Sequence, residues 1–340
     1  MLAAAPYAWH QKHWNNLCQQ RQEDRLSHAY LVCGDSGLGK YNFALSFARL
    51  LLCQSIVSHQ PCGTCRSCRM TESSQHPDLR LIGTEEGSRG IGIDQIRALL
   101  DFVTMTSHAG GSKIVILEQA DSLNQNAANA LLKTLEEPTP DTFILLITDA
   151  PGTLLPTLRS RCQRLNFTEP TSEVAKAWLE GVITDENIEA SLIASGNRPL
   201  LALSMLEGGH IESRTEILQS MNGVLCRQLR PEEFIKLAAI IGELRVMGHL
   251  SNIVSILIKY LLTKQRSFIE ENTLGELPGT FERLTQNQGT VVKDLLVLYD
   301  EIELAKRQLP SASNPNPQLI MESLIWNWFN LQKGQGQTVV

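Results

Sequence analysis

The sequence predicts an α/β first half built on a parallel sheet and an all-helical second half. Short continuous apolar runs, such as residues 113–117 and 143–148, are typical of strands that are buried on both faces of a parallel sheet. Segments in which apolar residues recur at helical spacing lie between these runs. After residues 169–171 every segment has helical spacing, so we place a domain boundary there.

The composition is that of a globular protein without an extreme charge. The chain has 340 residues, of which 43% are hydrophobic and 19% charged, and its formal net charge is −6. Such a charge gives no overall attraction for nucleic acid, so any contact with DNA must be local or supplied by partners. No apolar run approaches the ~20 residues that span a bilayer, and the first residues lack the basic start of a secretory signal. We expect a cytoplasmic protein of two or three domains.

A phosphate-binding loop is predicted directly after the first strand, at residues 34–41, and a helical pattern follows it. Gly34, Gly37 and Gly39 would let backbone N–H groups converge on phosphate oxygens at the helix N-terminus, and Lys40 would reach the outer phosphates. The next residue should carry the Ser or Thr hydroxyl that binds magnesium, but it is Tyr41. The pattern therefore predicts a nucleotide-binding loop with impaired hydrolysis. The alternative is a chance glycine-rich turn, which the flanking patterns disfavour.

Four cysteines follow the helix after this loop in the pattern C-x8-C-x2-C-x2-C. They are Cys53, Cys62, Cys65 and Cys68. Clustered cysteines in a large chain without a secretory signal indicate a metal site rather than disulfides. Four thiolates fill the tetrahedral shell of zinc and leave no position for water, so the predicted zinc is structural. The alternative is a group of four reduced, partly buried thiols.

The next segments alternate between strand and helix patterns. A helix should pack on the first domain within residues 1–27, a short strand should occupy residues 79–82, and an exposed loop residues 85–90. An amphipathic helix is expected at residues 94–103, and Gly110 and Gly111 break the chain before the strand at residues 113–117.

Glu118 and Gln119 follow that strand at its carboxyl end. In ATPases of this architecture the two positions carry an Asp that holds the magnesium shell and a Glu that polarises the attacking water. Here the first residue is one methylene longer and the second is an amide, which cannot accept a proton. Hydrolysis is therefore predicted to be impaired for a second reason. If both are ordinary solvated residues at a strand end, the consequence is the same.

Polar residues also follow the remaining predicted elements of the first half. A helical stripe over residues 123–137 ends before Pro138, and a strand over residues 143–148 ends on Thr148, whose hydroxyl could sense a phosphate or serve a turn. Arg159 and Arg161 precede a last short strand. On spacing alone such arginines are usually solvated charges.

The second half consists of helical patterns alone. A first helical unit covers residues 172–206 with a break at residues 195–199, and the glycines at 208 and 209 form a plausible linker. Later helices are expected near residues 214–226, 231–246, 250–265, 281–287 and 291–308, and after an interruption at residues 314–317 the last helix covers residues 318–329.

Together these motifs resemble the bacterial clamp-loader subunits of the AAA+ class. The matching segments are the loop at 34–40, the four cysteines, residues 129–138, Ser160-Arg161-Cys162 and residues 314–316, so the resemblance covers nearly the whole chain. Within the family, the gamma and tau subunits keep the hydroxyl after the loop lysine and the Asp-Glu pair. Tyr41 and Gln119 depart from both, so the chain resembles the members with a degenerate ATPase site.

The resemblance implies three domains and a place in a ring. A RecA-like AAA+ domain would cover residues 1–167 with the cysteine module inserted at 53–68, a small helical lid residues 168–208, and an all-α collar that joins five subunits residues 209–333. The implied function is that of a non-hydrolysing subunit of the DNA polymerase III clamp loader, which helps the ATP-driven ring load the sliding clamp onto primed DNA. The implied partners are the gamma/tau and delta subunits and, through the assembled ring, the clamp and the DNA. Zinc is the implied cofactor, and ATP binding by the loop is left open.

The resemblance also implies a role for Arg161. The matching arginine of the Ser-Arg-Cys motif acts in trans as an arginine finger on the ATP of the neighbouring subunit. A structural ion pair within the first domain is the alternative for Arg161. Arg198 lies one residue early for the lid arginine of active members, so we assign it no nucleotide role.

Two other functions compete with this interpretation. The first is an active ATPase of the gamma/tau type, in which Lys40, Glu118 and Thr148 would suffice for slow turnover. The second is a zinc-dependent nucleic-acid-binding protein that uses the cysteine module. Three basic residues, Arg49, Arg66 and Arg69, lie in or beside that module, which is few for a surface that follows phosphates.

Overall fold

The computed structural model describes residues 6–85, 90–108, 111–208, 210–263, 288–309 and 316–331. The chain forms two compact units, Met1–Val174 and Ala175–Val340. The boundary between them falls inside a helix, a few residues beyond the predicted one. The predicted helix at 281–287 lies outside the described residues. So do most of the predicted loop at 85–90, the Gly110 side of the break before the third strand, the second glycine of the linker at 208–209 and the first half of the interruption at 314–317.

The first unit contains a five-stranded, all-parallel sheet with the strand order β2-β3-β4-β1-β5. The strands are β1 (Ala29–Cys33), β2 (Leu79–Ile82), β3 (Lys113–Leu117), β4 (Thr142–Thr148) and β5 (Gln163–Asn166). Every residue of β1 and β3 is buried, which explains the unbroken apolar runs at residues 29–33 and 114–117. The predicted parallel α/β architecture is confirmed.

Helices cover both faces of this sheet. They are α1 (Gln11–Gln22), α2 (Lys40–Leu52), α3 (Arg66–Glu72), α4 (Ile93–Thr104), α5 (Gln125–Glu136) and α6 (Pro156–Arg159). The ends of α5 show how the local sequence limits a helix. The side chain of Asn124 accepts a hydrogen bond of 2.9 Å from the backbone N–H of Ala127 and so caps α5, which ends two residues before Pro138.

Two hydrophobic cores result, one on each face of the sheet. Tyr30 and Val32 of β1 face the core formed with α1 and α2, whereas Leu31 and Cys33 face the core formed with α4, α5 and α6. Successive strand residues point to opposite faces, so a single apolar strand supplies both cores. The polar side chains of the candidate site lie at the carboxyl ends of the strands.

Helices are the only regular secondary structure among the described residues of the second unit. Its helices are α7 (Ser172–Glu180, which begins in the first unit), α8 (Ile188–Ser195), α9 (Pro199–Glu207), α10 (His210–Leu225), α11 (Pro231–Ile241), α12 (Glu243–Thr263), α13 (Gln288–Gln308) and α14 (Pro317–Asn330). One hydrophobic cluster joins α7, α8 and α9, and a larger one joins α10 to α14. The division of this half into a lid and a collar stays a prediction.

One helix boundary of the second half was predicted wrongly. The helix expected at 231–246 ends at Ile241, and α12 begins at Glu243 rather than at Leu250. Gly242 lies between them with φ of 101°, a conformation outside the helical range that glycine adopts without steric cost. Apolar residues keep their helical spacing across Gly242, and for this reason the periodicity does not reveal the break. Within the described residues, no helix is both long and apolar enough to cross a membrane.

Candidate functional site

The glycine loop lies between the carboxyl end of β1 and the first turn of α2. Gly37 and Gly39 have φ of 85° and 80°, in the left-handed region that glycine favours. A Cβ atom at Gly34 would lie 2.5 Å from the backbone oxygen of Phe167, just beyond β5. The loop therefore has the strand–loop–helix context of a phosphate site, and its glycines are required by the backbone and by packing.

Lys40 is buried at the end of this loop, with 5% of its side chain exposed. Its Nζ donates a hydrogen bond of 2.7 Å to the backbone oxygen of Asp35 and forms an ion pair with Oδ1 of Asp149, also at 2.7 Å. Asp149 follows β4 directly, and its side chain is 55% exposed. The ammonium group that was predicted to meet phosphate is thus paired with a carboxylate of the chain itself.

An aromatic segment before α1 packs against the outside of the loop. The backbone oxygen of Leu38 accepts hydrogen bonds from Trp9 Nε1 at 2.9 Å and from His10 Nε2 at 2.7 Å. A Cβ atom at Gly39 would lie 2.7 Å from the ring of Tyr7. The first residues of the fold therefore fix the position of the loop, a role that sequence patterns did not indicate.

Burial sets the charge of His10. It lowers the pKa of His10 to about 4, although the hydrogen bond to the Leu38 oxygen raises the pKa in part, and nearby His13 lowers it further. The ring is neutral at physiological pH, and Nε2 carries the proton because a backbone oxygen can only accept.

The residues at the predicted metal and water positions lie at the end of β3 and the start of α2. Burial raises the pKa of Glu118. Burial also raises the pKa of the Tyr41 phenol, with a further contribution from the charge of Glu118. Gln119 has φ of 50°, and its Oε1 accepts a hydrogen bond of 2.8 Å from the hydroxyl of Thr84. The amide at the water position is thus held by a neighbouring loop.

Thr148 occupies the end of β4 and is 1% exposed. Its hydroxyl donates a hydrogen bond of 2.7 Å to Oδ1 of Asp121 and accepts one of 3.0 Å from the backbone N–H of Ala150. Both contacts order the turn after β4. Asp121, from the short turn after β3, was not among the predicted site residues. The phosphate-sensing role of Thr148 stays a prediction.

Arg161 follows α6 and contacts the end of α5. Its guanidinium forms an ion pair with Oε1 of Glu136 at 2.5 Å and donates to the backbone oxygen of Thr157 at 2.9 Å. The side chains of Arg161 and Glu136 are 35% and 49% exposed, so water screens the pair and its contribution to stability is small. The structural ion pair considered as an alternative is therefore present.

The four predicted metal ligands come together in space. The Sγ atoms of Cys53, Cys62, Cys65 and Cys68 all lie within 4.8 Å of one another, and those of Cys62 and Cys68 are 4.0 Å apart. A zinc–sulfur bond of about 2.3 Å in a tetrahedron requires sulfurs about 3.8 Å apart. No other group of this kind occurs among the described parts of the chain.

Backbone N–H groups aim at these sulfurs. The N–H of Cys62 donates to Cys53 Sγ at 3.3 Å, that of Cys65 to Cys62 Sγ at 3.3 Å, and that of Cys68 to Cys65 Sγ at 3.4 Å. The N–H groups of Cys65 and Thr64 lower the pKa of Cys62 to about 6. Such donors stabilise thiolates, the form in which cysteine binds metal. The cluster therefore fits a metal ion with four sulfur ligands.

Comparisons with known proteins agree with these observations. A family model described as DNA polymerase III, delta subunit matches residues 9–171. The DNA polymerase III subunit delta' of Pseudomonas aeruginosa is 32% identical over 328 residues, which cover 96% of this chain and 98% of that protein. The subunit of the same name in Haemophilus influenzae is 37% identical over 68% of this chain and 71% of its own length, and that of Escherichia coli is 28% identical over 94% of each.

The first unit has the RecA-like AAA+ architecture that the sequence motifs implied. A glycine loop follows β1, which lies between β4 and β5 in the sheet, and the four cysteines lie between the end of α2 and the first turn of α3. The similarity to the relatives extends through the helical second half. The chain belongs to the family of DNA polymerase III delta' subunits.

Proposed function

We propose that this chain, a clamp-loader subunit in DNA replication, works without hydrolysing ATP and helps an ATP-driven ring to load the sliding clamp onto primed DNA. The similarity to delta' subunits over nearly the whole chain supports the replication role. The observation that carries the non-hydrolysing part is the identity of the residues at the metal and water positions, Tyr41 and Gln119.

Hydrolysis of ATP needs a magnesium ligand and a group that orients the attacking water. The phenol of Tyr41 lies too far from the backbone to replace a Ser or Thr hydroxyl. Gln119 cannot accept a proton, and its oxygen is engaged by Thr84. Two separate requirements are therefore unmet in this chain, and a single substitution does not restore both.

The chain would contribute to ATP hydrolysis through Arg161 acting in trans. A guanidinium that offsets charge on the transferring phosphoryl group speeds hydrolysis by on the order of 10³ or more in favourable cases. Arg161 lies at the centre of the Ser-Arg-Cys match, and its pair with Glu136 is partly exposed, so the guanidinium can exchange a carboxylate for a phosphate oxygen. A subunit with a degenerate site can still supply this charge to a neighbour.

Partners and cofactor follow from the same proposal. The gamma/tau and delta subunits of the clamp loader would surround the chain, and the ring as a whole would meet the clamp and the DNA. Zinc would be held by Cys53, Cys62, Cys65 and Cys68, whose spacing suits four-sulfur coordination. With no position left for water, the metal would stabilise the first unit and take no part in catalysis.

The proposal is tested in a reconstituted ring that contains either the wild-type chain or the Arg161→Ala variant. We expect the variant ring to assemble with unchanged subunit and zinc content, but to hydrolyse ATP and load clamps more slowly because the neighbouring site loses its finger. Arg161→Lys should restore only part of the rate, since lysine keeps the charge but lacks the planar fork. Arg159→Ala is the matched control and should leave the rate near wild type.

Normal ATPase activity in the Arg161→Ala ring, or a loss explained by failed assembly, contradicts the finger assignment. The isolated chain provides the second arm of the test. It should show no measurable turnover, whereas turnover that is stimulated by DNA and abolished by Lys40→Ala would support an active ATPase of the gamma/tau type.

A further inference from the structure

The pair of Lys40 and Asp149 is built into the topology of the sheet. β1 and β4 are neighbours, and Cys33 at the end of β1 is paired with Thr148 at the end of β4. The glycine loop and Asp149 therefore leave the sheet side by side. The hydrogen bond from the Ala150 N–H to the Thr148 hydroxyl fixes the turn that carries Asp149. The carboxylate is thus placed beside the loop by ordered backbone.

Burial explains why Lys40 needs a counter-charge. The side chain of Lys40 is 5% exposed, and a buried ammonium group is costly unless it is paired and hydrogen-bonded. In a loop that binds nucleotide, phosphate oxygens supply this charge. In this chain the carboxylate of Asp149 and the backbone oxygen of Asp35 supply two of the three acceptors that an ammonium group can use.

We propose that Asp149 is an internal substitute for phosphate, which holds Lys40 and keeps polyphosphate out of the glycine loop. The ligand class excluded is the phosphate chain of a nucleotide or inorganic pyrophosphate. Such a ligand would have to displace the carboxylate from Lys40 and then lie beside its negative charge. The inference rests on the proposed function, since both describe a nucleotide site that does not hydrolyse ATP. It differs in that Asp149 would prevent binding, whereas Tyr41 and Gln119 would prevent hydrolysis.

Calorimetric titration of the full-length chain with magnesium ATP, and separately with pyrophosphate, tests this inference. Asp149→Asn keeps the shape of the side chain and removes its charge. We expect this variant to bind ATP at least tenfold more tightly than the wild type. Asp149→Glu retains the carboxylate and should bind as weakly as the wild type. Asp149→Ala should behave like Asp149→Asn, so that a single poorly folding variant does not decide the result.

Two further variants isolate the cause. Asp35→Asn removes an exposed carboxylate from the same loop but leaves the backbone oxygen that contacts Lys40, so it should show no gain in binding. Lys40→Ala combined with Asp149→Asn should lose the gain, because phosphate would then lack its cation. The inference is overturned if Asp149→Asn binds ATP no more tightly than the wild type, if the gain survives the removal of Lys40, or if Asp35→Asn produces the same gain.

Hydrolysis in the same variant separates this inference from the proposed function. Asp149→Asn should bind ATP without turnover, since Tyr41 and Gln119 are unchanged. Tight binding accompanied by turnover would uphold the role of Asp149 and contradict the account of hydrolysis given above. Absence of both binding and turnover would overturn the role of Asp149 and leave the non-hydrolysing function standing.

Discussion

At the scale of single residues, both cations of the candidate site are paired with carboxylates from other segments of the chain. Lys40 could be predicted from motif spacing, and Arg161 from the resemblance of Ser160-Arg161-Cys162 to a family motif. Asp149 and Glu136 come from other segments, and only the folded chain brings them within 2.7 Å and 2.5 Å of the two cations. The local sequence therefore identified the two cations of the site. Their carboxylate partners are known only from the fold, because they come from distant segments of the chain.

His10 leads to a prediction about pH. Its pKa in the folded chain is about 4, below the value of about 6.5 for an unfolded histidine, so between these values the unfolded chain binds more protons. The contribution of neutral His10 to stability is complete above pH 6.5 and is lost as the pH falls towards 4. Lowering the pH from 7.5 to 5.5 should reduce the free energy of unfolding by roughly 1 kcal/mol through this residue.

Urea denaturation of the wild type and of His10→Gln at a series of pH values measures the contribution of His10 to the free energy of unfolding. The variant is expected to have a shallower dependence on pH between 4.5 and 6.5, because glutamine does not titrate. Parallel curves for the two proteins would show that His10 is not the group responsible.

At the scale of elements, the sequence predicts best where one physical signal acts alone. The ends of β2 and β3 agree with the predicted bounds. For β3 the reason is that every residue is buried, so the strand forms an almost continuous apolar segment between polar turns. The break at Gly242 was missed because helical spacing continues through it. The cysteine cluster was located by its spacing because tetrahedral coordination makes a strong local demand on the chain.

The cysteine module provides the second prediction. Protein purified without chelator should contain about one zinc ion per chain, and Cys68→Ser should lose most of it, since three sulfurs bind zinc more weakly than four. The thermal unfolding midpoint of the first unit should fall when the zinc is lost. Elemental analysis and calorimetry measure the two effects.

Cys226→Ser is the control for the cysteine module, because Cys226 belongs to the second unit and is not one of the four clustered cysteines. Its zinc content should equal that of the wild type. Zinc that is absent from the wild type, or retained in full by Cys68→Ser, would falsify the assignment.

At the scale of the whole molecule, the chain separates a sheet-based unit that carries the candidate site from a helical unit with cores of its own. The fold class of each half could be predicted because apolar strand runs occur in the first half, whereas the second half has helical spacing alone. The predicted subdivision of the helical half rests on glycines and prolines near residues 208 and 315, part of which lies outside the described residues.

The whole-molecule prediction concerns ring assembly. Mixed with gamma, tau and delta subunits, the full chain should elute from gel filtration as one stoichiometric complex. A fragment of residues 1–208, which lacks the predicted collar, should keep its zinc but stay out of the complex. If the zinc-containing fragment enters the ring as well as the full chain does, the collar is not the assembly domain.

The glycines of the loop also indicate how its sequence would change over evolutionary time if the chain no longer hydrolysed ATP. Gly34 is held by its distance to the Phe167 oxygen, and Gly39 by the ring of Tyr7, whether or not a phosphate is ever bound. Both of these contacts involve the glycines and neither involves position 41 or position 119. If selection for hydrolysis ends, mutations should therefore replace the catalytic groups first. The glycines should remain, because the fold still requires them. A motif search that finds these glycines detects descent, and the activity has to be judged from the residues beside them.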